Sequence, residues 1–533
     1  MAERYPFKRN AFYELVELLK TSKVIFLTGP RKSGKTVCLK QLEDGDSEHY
    51  QYIDFKRMNS LAQKELIDRL CHSMETDIAT VYLLDEFTYL FQPDIILEVI
   101  ADSFNDNPQT KIKVVISGSQ SYALSYWAKS SFCGNARFLN IDFLTFNEWV
   151  RFNGKDKPSE DLFTSFCQNM RSFYKDFTSV PGYIESTLHE TVISNTNAAN
   201  LILKNDVDTL SADSILDILY ASLFSGHNHP SYQSFFDKTR FHKLLIHYFK
   251  EEYKISGDDV LKRIEQILSE RYRNYQSMGI HEYEQGLLLL LHSGLITLTY
   301  ECDKKLDRDI FQDLIHGRFR EAITTLEGSD KQVTKDMINR YVNISIRYPM
   351  FYLDLVEYAL GRKPENLPHE LLGSMFECYT RGYLPKSHNI IYRDINNNEV
   401  DYVNFSKEFA IELTIANKAA NIMHFSALSS IDDLANYKFL LITRSRMQYN
   451  DESNIVWIQF YEFIYRLTKG ESVDHIYDEA IKSIKRHSEL PAASIPCADN
   501  ESNTGCVDEN PDEPAEQACT THTGCDDMKL NLT

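Results

Sequence analysis

Long apolar runs are absent from this sequence of 533 residues. A membrane-spanning helix needs roughly 18 or more consecutive apolar residues, and the longest leucine block, at 287–291, is far shorter. The opening segment, MAERYPFKRN, contains no apolar stretch of the kind that forms the core of a signal peptide. We therefore expect a soluble, cytoplasmic protein with no membrane partner.

Cysteine is also scarce, and acidic residues outnumber basic ones. The ten cysteines are too few for the disulfide framework of a secreted scaffold. The 57 basic and 77 acidic side chains give a formal net charge of −20. This excess argues against a protein whose whole surface binds nucleic acid, but it leaves room for a local basic groove.

Apolar and aromatic side chains are plentiful: 43% of the residues are apolar, with 31 Tyr and 31 Phe. Such a composition is typical of globular domains with large cores. In the first part of the chain, strand-like runs at 24–27, 50–55, 81–84 and 114–116 alternate with helical patterns. This alternation predicts a parallel sheet with helices on its faces. Residues 160–300 have mostly helical patterns, 340–470 have mixed patterns, and periodicity disappears after about 485.

The strongest motif is the octapeptide GPRKSGKT, which fits the pattern G-x-x-x-x-G-K-[ST]. It consists of Gly29, Pro30, Arg31, Lys32, Ser33, Gly34, Lys35 and Thr36. Glycines let the backbone curl so that its N–H groups point toward phosphate oxygens. Lys35 is placed to reach the terminal phosphates of a nucleotide, and the Thr36 hydroxyl to ligate Mg²⁺. A helical pattern follows, so we predict a phosphate-binding loop at a helix N-terminus.

Two later strands end in polar residues that complement this loop. The run VYLLDE ends in Asp85 and Glu86. We assign Asp85 to holding Mg²⁺ through water, and Glu86 to polarising the attacking water as general base. The run VVIS is followed by GSQ, and Ser117 and Ser119 are candidates for sensing the γ-phosphate. A capping Asp-Glu pair and a simple polar turn are the alternative interpretations.

These motifs resemble those of a largely uncharacterised group of prokaryotic AAA-type ATPases. That family joins an N-terminal P-loop domain to a winged helix and a C-terminal restriction-endonuclease-like domain. The segments KVIFLTGPRKSGKT, VYLLDEF and VVISGSQ match its ATPase part in order and spacing, and NIDFLTFNEWV, with Phe146 and Glu148, resembles its next segment. The resemblance implies ATP as the nucleotide. Where the family carries Gly-Arg, this chain has Gly134 and Asn135, which leaves Arg137 as the candidate for a trans-acting arginine.

The resemblance also implies a domain organisation. We expect a P-loop ATPase domain at 1–155, a helical lid at 156–215 and a winged-helix-like region at 216–305. A restriction-endonuclease-like α/β domain follows at 306–484, and a disordered acidic tail at 485–533. A helical pattern at 283–292, a Ser-Gly turn and a strand-like run at 295–300 fit the end of a winged helix.

The resemblance implies a second metal site in the C-terminal domain. Glu377 lies in a helical pattern, and Asp401 and Glu412 lie in strand patterns. In the nuclease fold such acids converge on Mg²⁺, because phosphodiester cleavage needs a metal to activate water. The position where a lysine is expected holds Thr414, with Lys418 four residues further on. We therefore expect a degenerate domain without efficient nuclease activity.

Residues 262–274 carry Lys262, Arg263, Arg271 and Arg273, a basic helix that a winged helix would present to DNA phosphates. Glu265 and Glu270 dilute this charge, and a solvated helix face is the alternative.

Three functional hypotheses follow. The first is an enzyme that binds and hydrolyses ATP with Mg²⁺ and drives conformational change in the attached domains. The second is a slow-turnover, ATP-dependent switch or scaffold that acts on a protein partner. The third is an ATP-regulated, metal-dependent DNA nuclease. The intact Glu86 favours the first, whereas Asn135 and Thr414 favour the second; the oligomeric state stays open.

Overall fold

A computed structural model describes most of residues 5–224 and much of 273–488. The described residues are 5–76, 78–132, 134–174, 192, 194–197, 199, 210–224, 273–302, 308–329, 331–346, 379–385, 390–393, 399–414, 434, 436–443 and 455–488. Glu377, Lys418, most of the basic segment 262–274 and most of the predicted tail lie outside the described residues. Residues 1–484 form one compact unit, and the contacts below lie within it.

The N-terminal sheet has five parallel strands in the order β2-β3-β4-β1-β5. They are β1 (Val24–Thr28), β2 (Tyr50–Asp54), β3 (Val81–Asp85), β4 (Lys113–Ser117) and β5 (Arg137–Asn140). The helices of this region are α1 (Asn10–Thr21), α2 (Lys35–Gly45), α3 (Ser60–Ser73), α4 (Pro93–Asp106), α5 (Ser121–Phe132) and α6 (Phe146–Phe152). Parallel neighbours need crossover connections, which these helices supply. The predicted parallel sheet is confirmed.

Helices cover both faces of this sheet. Neighbouring residues of β1 point to opposite faces, as strand geometry requires. Ile25 packs with Leu15 of α1 and Leu39 of α2. Phe26 packs on the other side against Phe132 of α5, with ring centroids 5.8 Å apart. Every residue of β1 is buried, which explains why its sequence is continuously apolar rather than alternating.

Two further sheets lie in the second half of the chain. One has the order β7-β6-β8-β9, and the other β10-β11-β12-β13. The strands are β6 (Ile296–Cys302), β7 (Val342–Ile346), β8 (Ile390–Arg393), β9 (Glu399–Val400), β10 (Tyr402–Asn404), β11 (Phe409–Thr414), β12 (Lys438–Thr443) and β13 (Ile455–Gln459). β11, β12 and β13 are parallel, and β10 runs antiparallel to β11.

The helices of this half pack into the largest hydrophobic core among the described residues. They include α7 (Glu160–Tyr174), α8 (Ala212–Phe224), α9 (Ile280–His292), α10 (Arg308–Ile315), α11 (Phe319–Glu327), α12 (Lys335–Tyr341), α13 (Phe460–Thr468) and α14 (Val473–Ser488). Helix α6 of the N-terminal region contributes Phe146 and Val150 to the same core. The two halves of the chain are thus joined through α6.

Some local predictions differ from the structure. Asp401, expected within a strand, lies instead at a bend between β9 and β10. The predicted sequence of helix, glycine turn and strand is present, as α9, Gly294 with a φ of +74°, and β6. β6, however, pairs with β7 on one side and β8 on the other. The winged-helix assignment stays a prediction.

Candidate active site

The phosphate-binding loop connects β1 to α2 at the carboxyl edge of the sheet. Gly29 has a φ of +133°, and a Cβ there would lie 2.1 Å from the carbonyl oxygen of Ile141. Only glycine fits that combination of backbone angle and close approach. Gly34, with a φ of +96°, precedes the first residue of α2. The loop therefore presents the positive N-terminus of α2, which is suited to phosphate.

Lys35 is the first residue of α2 and is buried. Its ammonium donates to the carbonyls of Gly29 at 2.8 Å and Pro30 at 2.7 Å. Burial lowers the pKa of Lys35 to about 8, against the opposing effect of the Glu86 and Asp85 carboxylates. The loop backbone therefore holds the Lys35 ammonium inside the loop.

Asp85 ends β3, beside β4 in the sheet, and is buried with 2% of its surface exposed. Its two carboxylate oxygens accept separate hydrogen bonds. The Ser117 hydroxyl donates to Oδ1, and the Tyr52 hydroxyl donates to Oδ2 at 2.8 Å. The backbone N–H of Glu86 also donates to Oδ1, at 3.1 Å. These donors hold the carboxylate in one orientation.

Glu86 has left-handed backbone angles, with a φ of 53° and a ψ of 43°. Its Oε2 is buried without a hydrogen-bond partner in the described part of the chain. Burial and the neighbouring Asp85 raise the pKa of Glu86, and the Lys35 charge opposes them. A strained backbone and an unpaired carboxylate oxygen both destabilise the fold, and such features cluster at functional sites.

The polar end of β4 lies between the loop and Asp85. In the sheet register Leu27 pairs with Ser117, so the ends of β1 and β4 lie side by side. Ser117 and Ser119 are both buried. Ser117 contacts Asp85, and the Ser119 carbonyl accepts a hydrogen bond from Asn195 at 3.2 Å. The structure thus brings Lys35, Asp85, Glu86 and Ser117 to one edge of the sheet.

The remaining loop residues differ in exposure. Ser33 is buried, Arg31 and Thr36 are partly buried, and Lys32 is exposed with a φ of 59°. Arg137 is exposed on the edge strand β5. Its role as a trans-acting arginine stays a prediction.

Sequence reasoning missed three polar residues at this site. Tyr52 holds Asp85, as described above. The Ser121 hydroxyl accepts a hydrogen bond from the Gly29 N–H at 2.9 Å. Arg9 donates to the carbonyl of Ser33 in the loop. The available signals were weak: a tyrosine near a strand end, a serine before a helical run, and an arginine just before α1.

In the C-terminal region the structure brings Asp401 and Glu412 together. The Glu412 carboxylate accepts from the Asp401 N–H at 3.3 Å, and the Asp401 carboxylate accepts from the Leu413 N–H at 2.7 Å. Both side chains are partly buried. Thr414 is the last residue of β11, and Glu377 lies outside the described residues. Two of the three predicted acids are therefore neighbours, one directly before β10 and the other in β11.

Comparison with known proteins supports the interpretation of the N-terminal region. A family model described as an AAA domain matches residues 21–150. This region contains the loop, β3 and β4, so the chain contains an AAA-type P-loop domain with a parallel α/β sheet. No curated protein matches the chain.

Similar solved structures include a Walker-type ATPase of Pyrococcus abyssi, at 14% identity and a TM-score of 0.28, over 55% of this chain and 91% of that one. The ORC2 protein of Aeropyrum pernix, in ADPNP–ADP complexes, is similar at 13% identity and a TM-score of 0.29, over 61% of this chain and 98% of that one. RuvB of Thermotoga maritima is similar at 15% identity and a TM-score of 0.23, over 57% of this chain and 93% of that one. Among the described helices, none is both long and apolar enough to cross a membrane.

Proposed function

We propose that the chain is a Mg²⁺-dependent ATPase whose nucleotide site is formed by the loop, Asp85, Glu86 and Ser117. One observation carries this proposal: Glu86 holds a buried, unpaired carboxylate oxygen at the sheet edge shared with the loop lysine. A raised pKa makes a carboxylate a stronger base, which suits it to accept a proton from water. The AAA domain match at 21–150 supports the nucleotide.

Each residue then has a separate role. The loop N–H groups and the Lys35 ammonium bind the β- and γ-phosphates and stabilise the charge that develops on them. Glu86 orients and deprotonates the attacking water. Ser117 contacts Asp85 directly, so it is placed to respond to the γ-phosphate and to Asp85 together.

The residues present fit a magnesium ion. Thr36 supplies a hydroxyl and Asp85 a carboxylate, the hard oxygen donors that Mg²⁺ prefers. Tyr52 and Ser117 hold the Asp85 carboxylate in one orientation. When bound, Mg²⁺ supplies positive charge beside the phosphate oxygens.

Steady-state ATP hydrolysis tests the proposal. Wild type should turn over ATP with Mg²⁺, and Lys35→Ala should lose turnover because the charge on the terminal phosphates is no longer neutralised. Lys64→Ala, an exposed lysine on α3, is the matched control and should behave as wild type. If wild type binds ATP but does not hydrolyse it, the ATPase hypothesis is excluded. The hypothesis of a slow-turnover, ATP-dependent switch or scaffold is then favoured.

We further propose that residues 306–484 form a restriction-endonuclease-like domain that does not cleave DNA efficiently. The adjacent Asp401 and Glu412 support a remnant of a metal site, and Thr414 lacks the cation that would position water. DNA cleavage assays with Mg²⁺ and Mn²⁺ test this proposal. Cleavage that Asp401→Ala abolishes would establish the ATP-regulated nuclease instead.

We also propose two regions that change conformation with the bound nucleotide. A helical lid at 156–215 and a winged-helix-like region at 216–305 would respond to the nucleotide. DNA or a protein is the partner proposed for them. Stimulation of ATP turnover by DNA would favour the nucleic acid.

A further inference from the structure

Arg9 connects the phosphate-binding loop to residues far along the chain. Its Nη1 donates to the carbonyl of Ser33, inside the loop, and to the carbonyl of Asp142 at 2.7 Å. Its Nη2 donates to the Glu148 carboxylate at 2.7 Å. A Cβ added at Gly34 would lie 3.4 Å from the Arg9 side chain, so Arg9 also packs against the loop. Its guanidinium is thus held between the loop and α6.

The Arg9–Glu148 ion pair is buried, with 11% and 1% of the two side chains exposed. Burial acts to raise the pKa of Glu148, but the Arg9 charge and hydrogen bonds from Arg9, Thr145 and Asn10 outweigh it and hold the pKa below its usual value. Glu148 also accepts from the N–H groups of Asn10 at 2.7 Å and Thr145 at 2.9 Å. Neither partner of such a pair can shift alone without leaving a buried charge uncompensated.

Glu148 sets the N-terminus of α6. It forms a capping box with Thr145, in which the Thr145 hydroxyl accepts the Glu148 N–H and the Glu148 carboxylate accepts the Thr145 N–H. A capping box determines where a helix begins and how the chain enters it. The position of Arg9 against the loop is therefore linked to the position of α6.

The same end of α6 is held by the C-terminal region. The N–H of Phe146 donates to the Tyr379 hydroxyl at 3.0 Å, and the N–H of Asn147 donates to Thr468 Oγ1 at 3.2 Å. The Phe146 ring lies 5.2 Å from Phe163, edge to face. Thr468 ends α13, the helix that follows β13. The first N–H groups of α6, which lack partners within a helix, are thus satisfied by residues more than 200 positions away.

We propose that Arg9 and Glu148 couple the nucleotide state of the phosphate-binding loop to the C-terminal region through α6. The proposal rests on the ATPase function above and names its coupling route. Arg9 is a positioning residue, since it acts on the loop through the Ser33 carbonyl. A contiguous chain of buried contacts runs from Ser33 to Tyr379 and Thr468. Because coupled sites affect each other reciprocally, weakening the contacts of Tyr379 and Thr468 with α6 changes the affinity of the phosphate-binding loop for nucleotide.

The test loosens only the far end of this chain of contacts. Tyr379→Phe combined with Thr468→Val removes both acceptors of the α6 N–H groups and leaves the loop untouched. Tyr300→Phe is the matched control, because Tyr300 is also buried and donates to a backbone carbonyl, that of Leu314, at 3.1 Å. The Kd for Mg-ATP, kcat and KM are measured for each variant, with hydrogen exchange of the peptide 144–152 with and without Mg-ATP.

We expect the double variant to raise the Kd for Mg-ATP at least about fivefold, and Tyr300→Phe to leave it unchanged. In wild type, Mg-ATP should slow exchange in 144–152, and Arg9→Met at saturating Mg-ATP should lose that protection while Arg9→Lys retains part of it. An ordinary structural role would lower thermal stability without moving the Kd. Two results would refute the coupling while leaving the proposed ATPase function intact, provided that wild type hydrolyses ATP. One is a wild-type Kd for Mg-ATP in the double variant, and the other is hydrogen exchange in 144–152 that does not change when Mg-ATP is added. If wild type neither binds nor hydrolyses ATP, the coupling and the ATPase function are both refuted.

Discussion

Substituting Gly29 by alanine should be among the most destabilising single changes in the AAA domain. Its φ of +133° is a conformation that side chains rarely adopt, and the added Cβ would lie 2.1 Å from a backbone oxygen, which cannot rotate away. Backbone strain of this kind costs about 1–3 kcal/mol, and overpacking typically adds about 1–3 kcal/mol. We therefore expect a loss of about 2–6 kcal/mol in the free energy of unfolding.

Two other glycines separate these contributions. Gly134 has a φ of +89° with nothing within 4 Å of an added Cβ, so Gly134→Ala should show the strain alone. Gly45 has neither strain nor a close neighbour, so Gly45→Ala should be neutral or stabilise by up to about 1 kcal/mol. The loss in the free energy of unfolding should therefore be largest for Gly29→Ala, smaller for Gly134→Ala and smallest for Gly45→Ala.

Urea unfolding followed by tryptophan fluorescence measures this order, since Trp127 and Trp149 lie in α5 and α6. The Gly29→Ala midpoint should fall by on the order of 1 M. Equal midpoint shifts for Gly29→Ala and Gly134→Ala would refute a close contact between Gly29 and the Ile141 carbonyl.

Three further outcomes follow from buried polar groups. Glu86→Gln should not lower the urea midpoint, because it removes a buried carboxylate with an unpaired oxygen; a large loss would mean that Glu86 has an essential structural partner. Glu148→Gln should cost about 3–5 kcal/mol, because it leaves Arg9 buried without its counter-charge. Since the folded-state pKa of Glu148 is depressed, its stabilisation is present above the ordinary glutamate pKa, and the gap between wild type and variant should close as pH falls through the lowered value; a gap independent of pH contradicts this. Tyr52→Phe removes a donor to Asp85 and should raise the Mg²⁺ concentration for half-maximal turnover up to about tenfold, whereas an unchanged Mg²⁺ requirement would exclude Asp85 from the metal.

The N-terminal fold is predictable from local pattern because its signals are local. β1 is a continuous apolar run because both its faces are covered, and the loop motif specifies the strand before it and the helix after it. β5, with the sequence RFLN, was not predicted as a strand because three of its four residues are exposed and its pairing with β1 is long-range. β7 likewise owes its strand conformation to pairing with β6.

The catalytic candidates were predictable, but the residues that hold them were not. Lys35, Asp85 and Glu86 belong to short motifs with a chemical reason for each residue type. Arg9 and Tyr52 have no motif: each acts through a contact with a residue far along the chain. Only the folded sheet brings Tyr52 beside Asp85, and only the packing of α6 brings Glu148 to Arg9.

In the proposed mechanism, Glu86 activates the water that attacks bound ATP. The decisive experiment measures the Kd for Mg-ATP and kcat on the same preparations of wild type, Glu86→Gln and the control Glu65→Gln, which changes an exposed residue of α3. We expect Glu86→Gln to bind Mg-ATP about as tightly as wild type while its kcat falls by at least about 10²-fold, the usual contribution of a general base. Glu65→Gln should have the wild-type Kd and kcat. Wild-type turnover in Glu86→Gln would contradict this mechanism.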